Sequence, residues 1–356
     1  MSLASFLFSM GLTSEHAIAS AGSYDCPVRD PGIQEEDFPG FDRKNELSFS
    51  RDQDAVGSCY AFAWTDFFAY HAKKQNKWPK SDVYSAGASA MDILQQISVA
   101  RHVDHPNLES FLESETGGLF AQHDIVDHIS KVGLCAEKKF PSEFFPRTTG
   151  ALETYTKFSR SFAKMKTTEA SVSDLYWCPE CISMAPELFG ATSSEATKKL
   201  KKSAEEIKNE AQKISGKKNS YQAFVALNEA ACKPSERVKF NKLDTVLTDD
   251  MAVIKEQLRK DNPLVVSIGS YGVLSPKKVE EARASSKDGK VGNHSAVLVG
   301  AVQIPEAANQ CYYVIKNSWG SNCEPNPPAQ LCLTTGAMAI RADVFERNIK
   351  SAVYAK

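Results

Sequence analysis

The sequence predicts an α+β protein of two lobes, a helical lobe first and an antiparallel β lobe last. Three observations carry this. Residues 59–75 are apolar or aromatic on nearly every face, the pattern of a helix buried all round. The last two-fifths of the chain consists of short apolar runs set between turn residues, the pattern of strands. Between the two, residues 151–240 change character and carry a Lys/Glu-rich stretch with apolar residues at helical spacing.

The bulk properties fit such a domain. The chain has 356 residues, 42% hydrophobic and 24% charged, enough for two compact lobes. Its formal charge of -2 and pI near 6.4 leave no basic field for phosphate, which argues against nucleic acid as a partner. No apolar run reaches the ~18 residues that span a bilayer, so a soluble mature protein without a membrane span is expected. Residues 1–21 are expected to be a signal peptide. Residues 3–12 are mildly apolar and Ala19-Ser20-Ala21 has the small-x-small form of a cleavage site, although no Lys or Arg precedes Arg29. The nine cysteines support export, to the periplasm or outside the cell. An odd count accommodates one reactive thiol and up to four disulfides. The best local pair is Cys323–Cys332, across the Pro-rich loop Glu324-Pro325-Asn326-Pro327-Pro328.

In chain order, residues 22–50 are polar turns and extended segments. The helix over 59–75 ends among Lys73, Lys74 and Lys77, and His71 near that end reads as structural. A second helix is expected over 85–101 and a third over 124–129, closed by Gly133. Gly117-Gly118 before the third helix is either an entry turn or a place where backbone approaches a ligand. In the middle section, Thr192-Ser193-Ser194-Glu195 is a capping box, followed by Leu200, Ala204, Ile207, Ala211 and Ile214 on one helix face. Residues 250–261 then read as a helix. Strands are expected over 263–268, 292–300, 311–320 and 338–342, the third ending in Asn317-Ser318-Trp319-Gly320 and the last closing the fold.

Two groups of residues carry chemistry. Cys59 follows Gly57-Ser58 and opens the buried helix, with Gln53 six residues upstream. A helix N-terminus favours thiolate over thiol, and the Gln53 amide with the Cys59 N–H can stabilise an oxyanion. The plainer reading is a small buried hydrophobe. Cys178-Pro179-Glu180-Cys181 leaves three readings open: a zinc half-site with Cys232, a redox pair, or structural disulfides. The missing second Cys or His pair favours the disulfides. His102, His105, His123 and His128 lack ligand spacing, so neither a metal nor another cofactor is expected.

Three motifs together resemble the papain family of cysteine peptidases. Gln53 with Gly57-Ser58-Cys59-Tyr60-Ala61-Phe62-Ala63 is similar to the family's oxyanion glutamine and nucleophile motif. Asn293-His294-Ser295-Ala296-Val297-Leu298-Val299-Gly300 is similar to its histidine strand, and Lys316-Asn317-Ser318-Trp319-Gly320 to its asparagine motif. Gly117-Gly118 resembles the glycine pair that binds an extended substrate backbone. The resemblance covers roughly residues 40–145 and 245–345. His294 and Asn317 lie 235 and 258 residues after Cys59, against about 130–150 usual for the family. The excess matches the 151–240 section, which is therefore expected to be an inserted helical subdomain between residues 22–150 and 241–356.

The resemblance implies a papain-like fold with a helical left lobe and a β-barrel-like right lobe. It implies a thiolate–imidazolium pair of Cys59 and His294, Asn317 orienting the imidazole, Trp319 shielding that bond, and Gln53 in the oxyanion hole. Gly117 and Gly118 would bind substrate main chain. The expected activity is hydrolysis of protein or peptide substrates by a monomeric endopeptidase. The alternatives are an exopeptidase of the bleomycin-hydrolase kind, or a non-proteolytic acyl-transferase or binding protein on the same scaffold. The chain departs from the family pattern in four ways. Val56 stands where a disulfide cysteine is usual, and Tyr60 where Trp is commoner. Ser321-Asn322-Cys323-Glu324 replaces the usual stretch after the asparagine motif. Finally, only about 30 residues separate the expected signal from the mature-like start, too few for an inhibitory propeptide.

Overall fold

The structure is a computed structural model. It describes residues 26, 59–80, 87–106, 110–111, 123–137, 139–140, 142, 221–222, 225, 228–229, 232–274, 276–285, 292–304, 310–319, 329–333 and 337–356. The signal segment, Gln53, Gly117, Gly118, the CxxC at Cys178 and Cys181, Cys323 and the capping box at Thr192 lie outside the described residues.

Helix α1 spans Cys59–Lys74, as its all-round apolar pattern requires, and every residue from Tyr60 to Ala72 is buried. Helix α2, Ala90–Ala100, starts later than the sequence suggests because its cap fixes the start. The Ser89 side chain accepts from the Asp92 N–H, and Ser142 Oγ accepts from the N–H groups of Ala90 and Met91 at 2.5 and 3.1 Å. Helix α3, His123–Val132, stops at Gly133, whose φ of +87° suits glycine and whose Cβ position would fall 2.9 Å from the Val238 carbonyl.

The second half is a seven-stranded antiparallel sheet. Its strands are β1 Thr245–Thr248, β2 Leu264–Gly269, β3 Asn293–Ile304, β4 Gln310–Lys316, β5 Gln330–Cys332, β6 Met338–Arg341 and β7 Ile349–Ala355. Helices α4 Met251–Arg259, α5 Pro276–Ser285 and α6 Ala342–Asn348 connect them. Asp250 caps α4 by accepting from the Ala252 N–H. The order β1-β7-β2-β3-β4-β6-β5 is open among the described residues, with β1 and β5 at the edges. This corrects the barrel-like expectation. It also corrects the expectation that 338–342 ends the fold, because α6 returns the chain and β7 inserts between β1 and β2. Short, mixed runs such as Gln330–Cys332 show no alternation long enough to betray a strand.

Strand alternation divides the core in two. Val265, Val297, Val299, Val314 and Val353 face a cluster with Tyr60, Ala63, Trp64, Phe67 and Phe68 of α1 and with α2 and α3. Leu264, Val266, Ala296, Leu298, Ile315, Ile340 and Ala352 face the other cluster, with Ile254 of α4 and Phe345 of α6. The α1 helix thus lies flat on the sheet, against β3 above all. Stacking of Trp64 on Phe68, at 5.3 Å between ring centroids, fills the space beneath it.

Two features tie the start of the β lobe to α2 and α3. The Arg237 guanidinium meets both Asp92 oxygens at 2.8 Å, with Asp92 fully buried. Beside it, Cys135 and Cys232 form a disulfide. That bond removes Cys232 from any zinc site, which corrects one of the three readings of the CxxC. Cys26 pairs with Cys311, and Cys332 is also disulfide-bonded.

Candidate active site

Cys59 is the first residue of α1, where the leading N–H groups have no intrahelical acceptor and the helix dipole is positive. It is half-buried and, among the described cysteines, carries the free thiol.

His294 is the second residue of β3 and Asn317 follows the last residue of β4, and both are buried. These neighbouring strands bring His294 Nε2 to 2.7 Å from Asn317 Oδ1. The same oxygen accepts from the Ser318 backbone N–H at 2.9 Å, which fixes the orientation of the amide. Because Oδ1 only accepts, Nε2 must carry the proton. The Nδ1 atom is then left with its lone pair, as a base. The Trp319 ring lies tilted over the imidazole, with centroids 4.5 Å apart, and packs into the second core. Its placement covers the His294–Asn317 pair on one side.

The residues of β3 alternate between the two faces of the sheet. Ser295 has the same parity as Val297 and Val299, which face α1, while His294 has the parity of Ala296 and Leu298. The α1 stripe that carries Cys59 passes seven residues later through Asp66, two turns along the helix. Asp66 forms a buried ion pair with Lys316, which lies opposite Val297 on β4. Sequence reasoning misses this pair, because Asp66 and Lys316 are 250 residues apart and nothing local joins them.

Burial dominates the electrostatics. It pushes the Cys59 thiol up, above its ordinary value. It also pulls the His294 imidazolium down to about 4, opposed by the Asn317 bond. Each group on its own is therefore neutral at physiological pH. No group of three or more His, Cys, Asp or Glu able to hold a metal occurs among the described residues.

Comparison with known proteins gives one family. No curated protein matches the chain. Among solved structures, the chain is similar to procathepsin L 3 of Tenebrio molitor larval midgut, at 14% identity and a TM-score of 0.42 over 88% of this chain and 67% of that one. It is also similar to the bromelain protease of Ananas comosus, solved with the E64 inhibitor, at 12% identity and 0.40 over 91% and 97%. Xylellain, a cysteine protease of Xylella fastidiosa, gives 14% and 0.40 over 92% and 94%. The sequence model described as papain family cysteine protease matches residues 145–329, just over half of the chain. That range holds His294, Asn317 and Trp319, while Cys59 precedes it. The match also takes in the whole of the section expected to be an insertion, residues 151–240. The chain belongs to the papain family of cysteine proteases.

Proposed function

We propose that the protein is a cysteine endopeptidase in which Cys59, His294 and Asn317 carry the reaction. The observation that supports this best is the His294 Nε2–Asn317 Oδ1 bond, buried beneath Trp319, which frees Nδ1 as a base while a free thiol stands at the start of α1. Proton transfer from the Cys59 thiol to Nδ1 charges both groups together, so each new charge stabilises the other. The thiolate attacks the scissile carbonyl carbon, and the electron pair of the C=O bond moves to oxygen. The Gln53 amide and the Cys59 N–H stabilise that oxyanion. The imidazolium then protonates the leaving amine as the C–N bond breaks, leaving a thioester. Water, deprotonated by the neutral imidazole, attacks the thioester and restores the thiol. Gly117 and Gly118 bind the substrate main chain, and Trp319 keeps water from the His294–Asn317 bond. The enzyme is exported and acts as a monomer. Its disulfides, which persist in oxidising compartments, support the export.

The test treats purified protein with an epoxysuccinyl inhibitor, maps the adduct by mass spectrometry, and measures cleavage of peptide libraries with free and with blocked ends. The expected result is modification at Cys59 and internal cleavage of blocked peptides, both lost in Cys59→Ala. Cleavage confined to free-ended peptides would make the enzyme an exopeptidase. Absence of both adduct and turnover would overturn the peptidase reading.

A further inference from the structure

We propose that Ser270 is a positioning residue for His294, its hydroxyl holding the Gly292 carbonyl and so fixing the entry of the strand that carries the imidazole. The proposal rests on the peptidase reading above, in which His294 is the base. Three observations carry it. First, the backbone ladder between β2 and β3 runs from Leu264 opposite Leu298 to Gly269 opposite Asn293, and stops there. Ser270 and Gly292 are the next residues along the two strands, and the Ser270 hydroxyl donates to the Gly292 carbonyl. A side chain thus continues the pairing by one step, two residues from His294.

Second, Ser270 is buried and stands on a fixed support. It opens the 3-10 turn Ser270–Gly272, and its own carbonyl accepts from the Val273 and Leu274 N–H groups at 3.1 and 2.8 Å. The Gln330 side chain of β5 donates to the Gly272 carbonyl at 3.0 Å. A Cβ at Gly272 would fall 2.7 Å from Ile268 Cγ2 and 2.8 Å from Asn348 Cβ, so the turn is wedged between the ends of β2 and α6. Third, packing does not hold Gly292. Among the described residues, nothing lies within 4 Å of where its Cβ would stand, and both Gly292 and Asn293 are exposed. The segment Lys287-Asp288-Gly289-Lys290-Val291-Gly292 that leads to the strand carries two glycines, each with wide backbone freedom.

Asn317 Oδ1 holds the imidazole at Nε2, 2.7 Å away, and a ring held at one nitrogen can pivot about it. The backbone at 293–294 is the second point that fixes where Nδ1 stands. Proton transfer depends steeply on such placement, since a displacement of ~1 Å can cost ~100-fold in rate. Folding depends on it little. Because Gly292 is exposed, water can take the place of the lost hydroxyl on its carbonyl. Loss of the bond therefore acts on rate far more than on stability.

The experiment compares the wild type, Ser270→Ala and Ser270→Thr by kcat and KM for a peptide, by Tm, and by amide hydrogen exchange. The Ala variant is expected to lower kcat about tenfold while KM stays within about twofold, and to shift Tm by less than about 3 °C. Its amides at 292–294 are expected to exchange about tenfold faster, with those at 297–299 unchanged. The Thr variant keeps the hydroxyl and is expected to recover kcat to within about threefold of the wild type. Unchanged kcat in the Ala variant, or exchange accelerated along the whole of β3, would overturn the positioning role while leaving the peptidase intact. A folded Thr variant that follows Ala would assign the loss to packing and overturn it equally. A wild type that turns over no peptide would overturn the peptidase reading, and with it any role for Ser270 in positioning a base.

Discussion

The buried Asp66–Lys316 pair is the sharpest point at which to perturb the site without touching a reacting atom. It joins the α1 stripe that begins at Cys59 to the residue directly before Asn317. The side chains are only 12% and 4% exposed, so solvent screens them little. Removing one partner leaves the other charge buried, at a cost of about 3–5 kcal/mol. The exposure of Asp66 and its further contacts place the expected loss for Lys316→Met near the lower end, about 3 kcal/mol. For a chain of this size that is roughly 5 °C in Tm. Replacing both, as Asp66→Leu with Lys316→Met, exchanges two desolvated charges for apolar contacts and is expected to recover most of the loss. Urea denaturation of the four proteins in a double-mutant cycle measures the coupling, expected to exceed about 3 kcal/mol because the double variant recovers most of what each single variant loses. Because Lys316 holds the backbone that presents Asn317, kcat should fall in the single variants more than KM rises. Single-variant losses below about 0.5 kcal/mol, or losses that simply add, would refute the view that this pair clamps the helix to the strand.

Two further outcomes follow from the same structure. His71 is buried against Phe67, its Nε2 atom makes no hydrogen bond, and burial lowers its pKa to about 4. The unfolded chain binds a proton there below about 6.5 while the native state does not, so stability must fall as pH drops from about 6.5 to about 4. Between pH 7.5 and 5.0 this one group accounts for about 2 kcal/mol. In His71→Leu, the loss of stability over that interval, read by urea titration, is expected to shrink by that amount, and an unchanged loss would contradict the assignment. The Cys135–Cys232 bond, with a sequence separation of 97, restrains a long loop of the unfolded chain. The double replacement by Ala is expected to cost about 2–5 kcal/mol in calorimetry or urea titration, and a change below about 1 kcal/mol would show that Arg237–Asp92 alone holds that junction.

The helices and strands with strong local patterns are legible in the amino-acid sequence alone. The α1 segment is apolar on every face, Asp250 marks a cap, and the runs at 263–268 and 311–316 are strand-like; each of these signals lies within a dozen or so residues. The residues expected at the site are legible for a related reason. A thiol after Gly-Ser, a histidine opening an apolar strand and an Asn-Ser-Trp-Gly turn are local chemical patterns in a recognisable order. What the sequence could not supply is anything that depends on pairing across the chain. The central place of β7, the open edges of the sheet, the Cys26–Cys311 and Cys135–Cys232 bonds and the Asp66–Lys316 clamp join residues 97 to 285 positions apart or reorder strands whose local appearance is unchanged. The sequence by itself thus determined which residues to expect at a thiol site. Only the tertiary structure decided that His294 meets Asn317 and that the valines of β3 face α1, because strand parity acquires meaning only once one face of the sheet is covered by α1 and the other by α4 and α6.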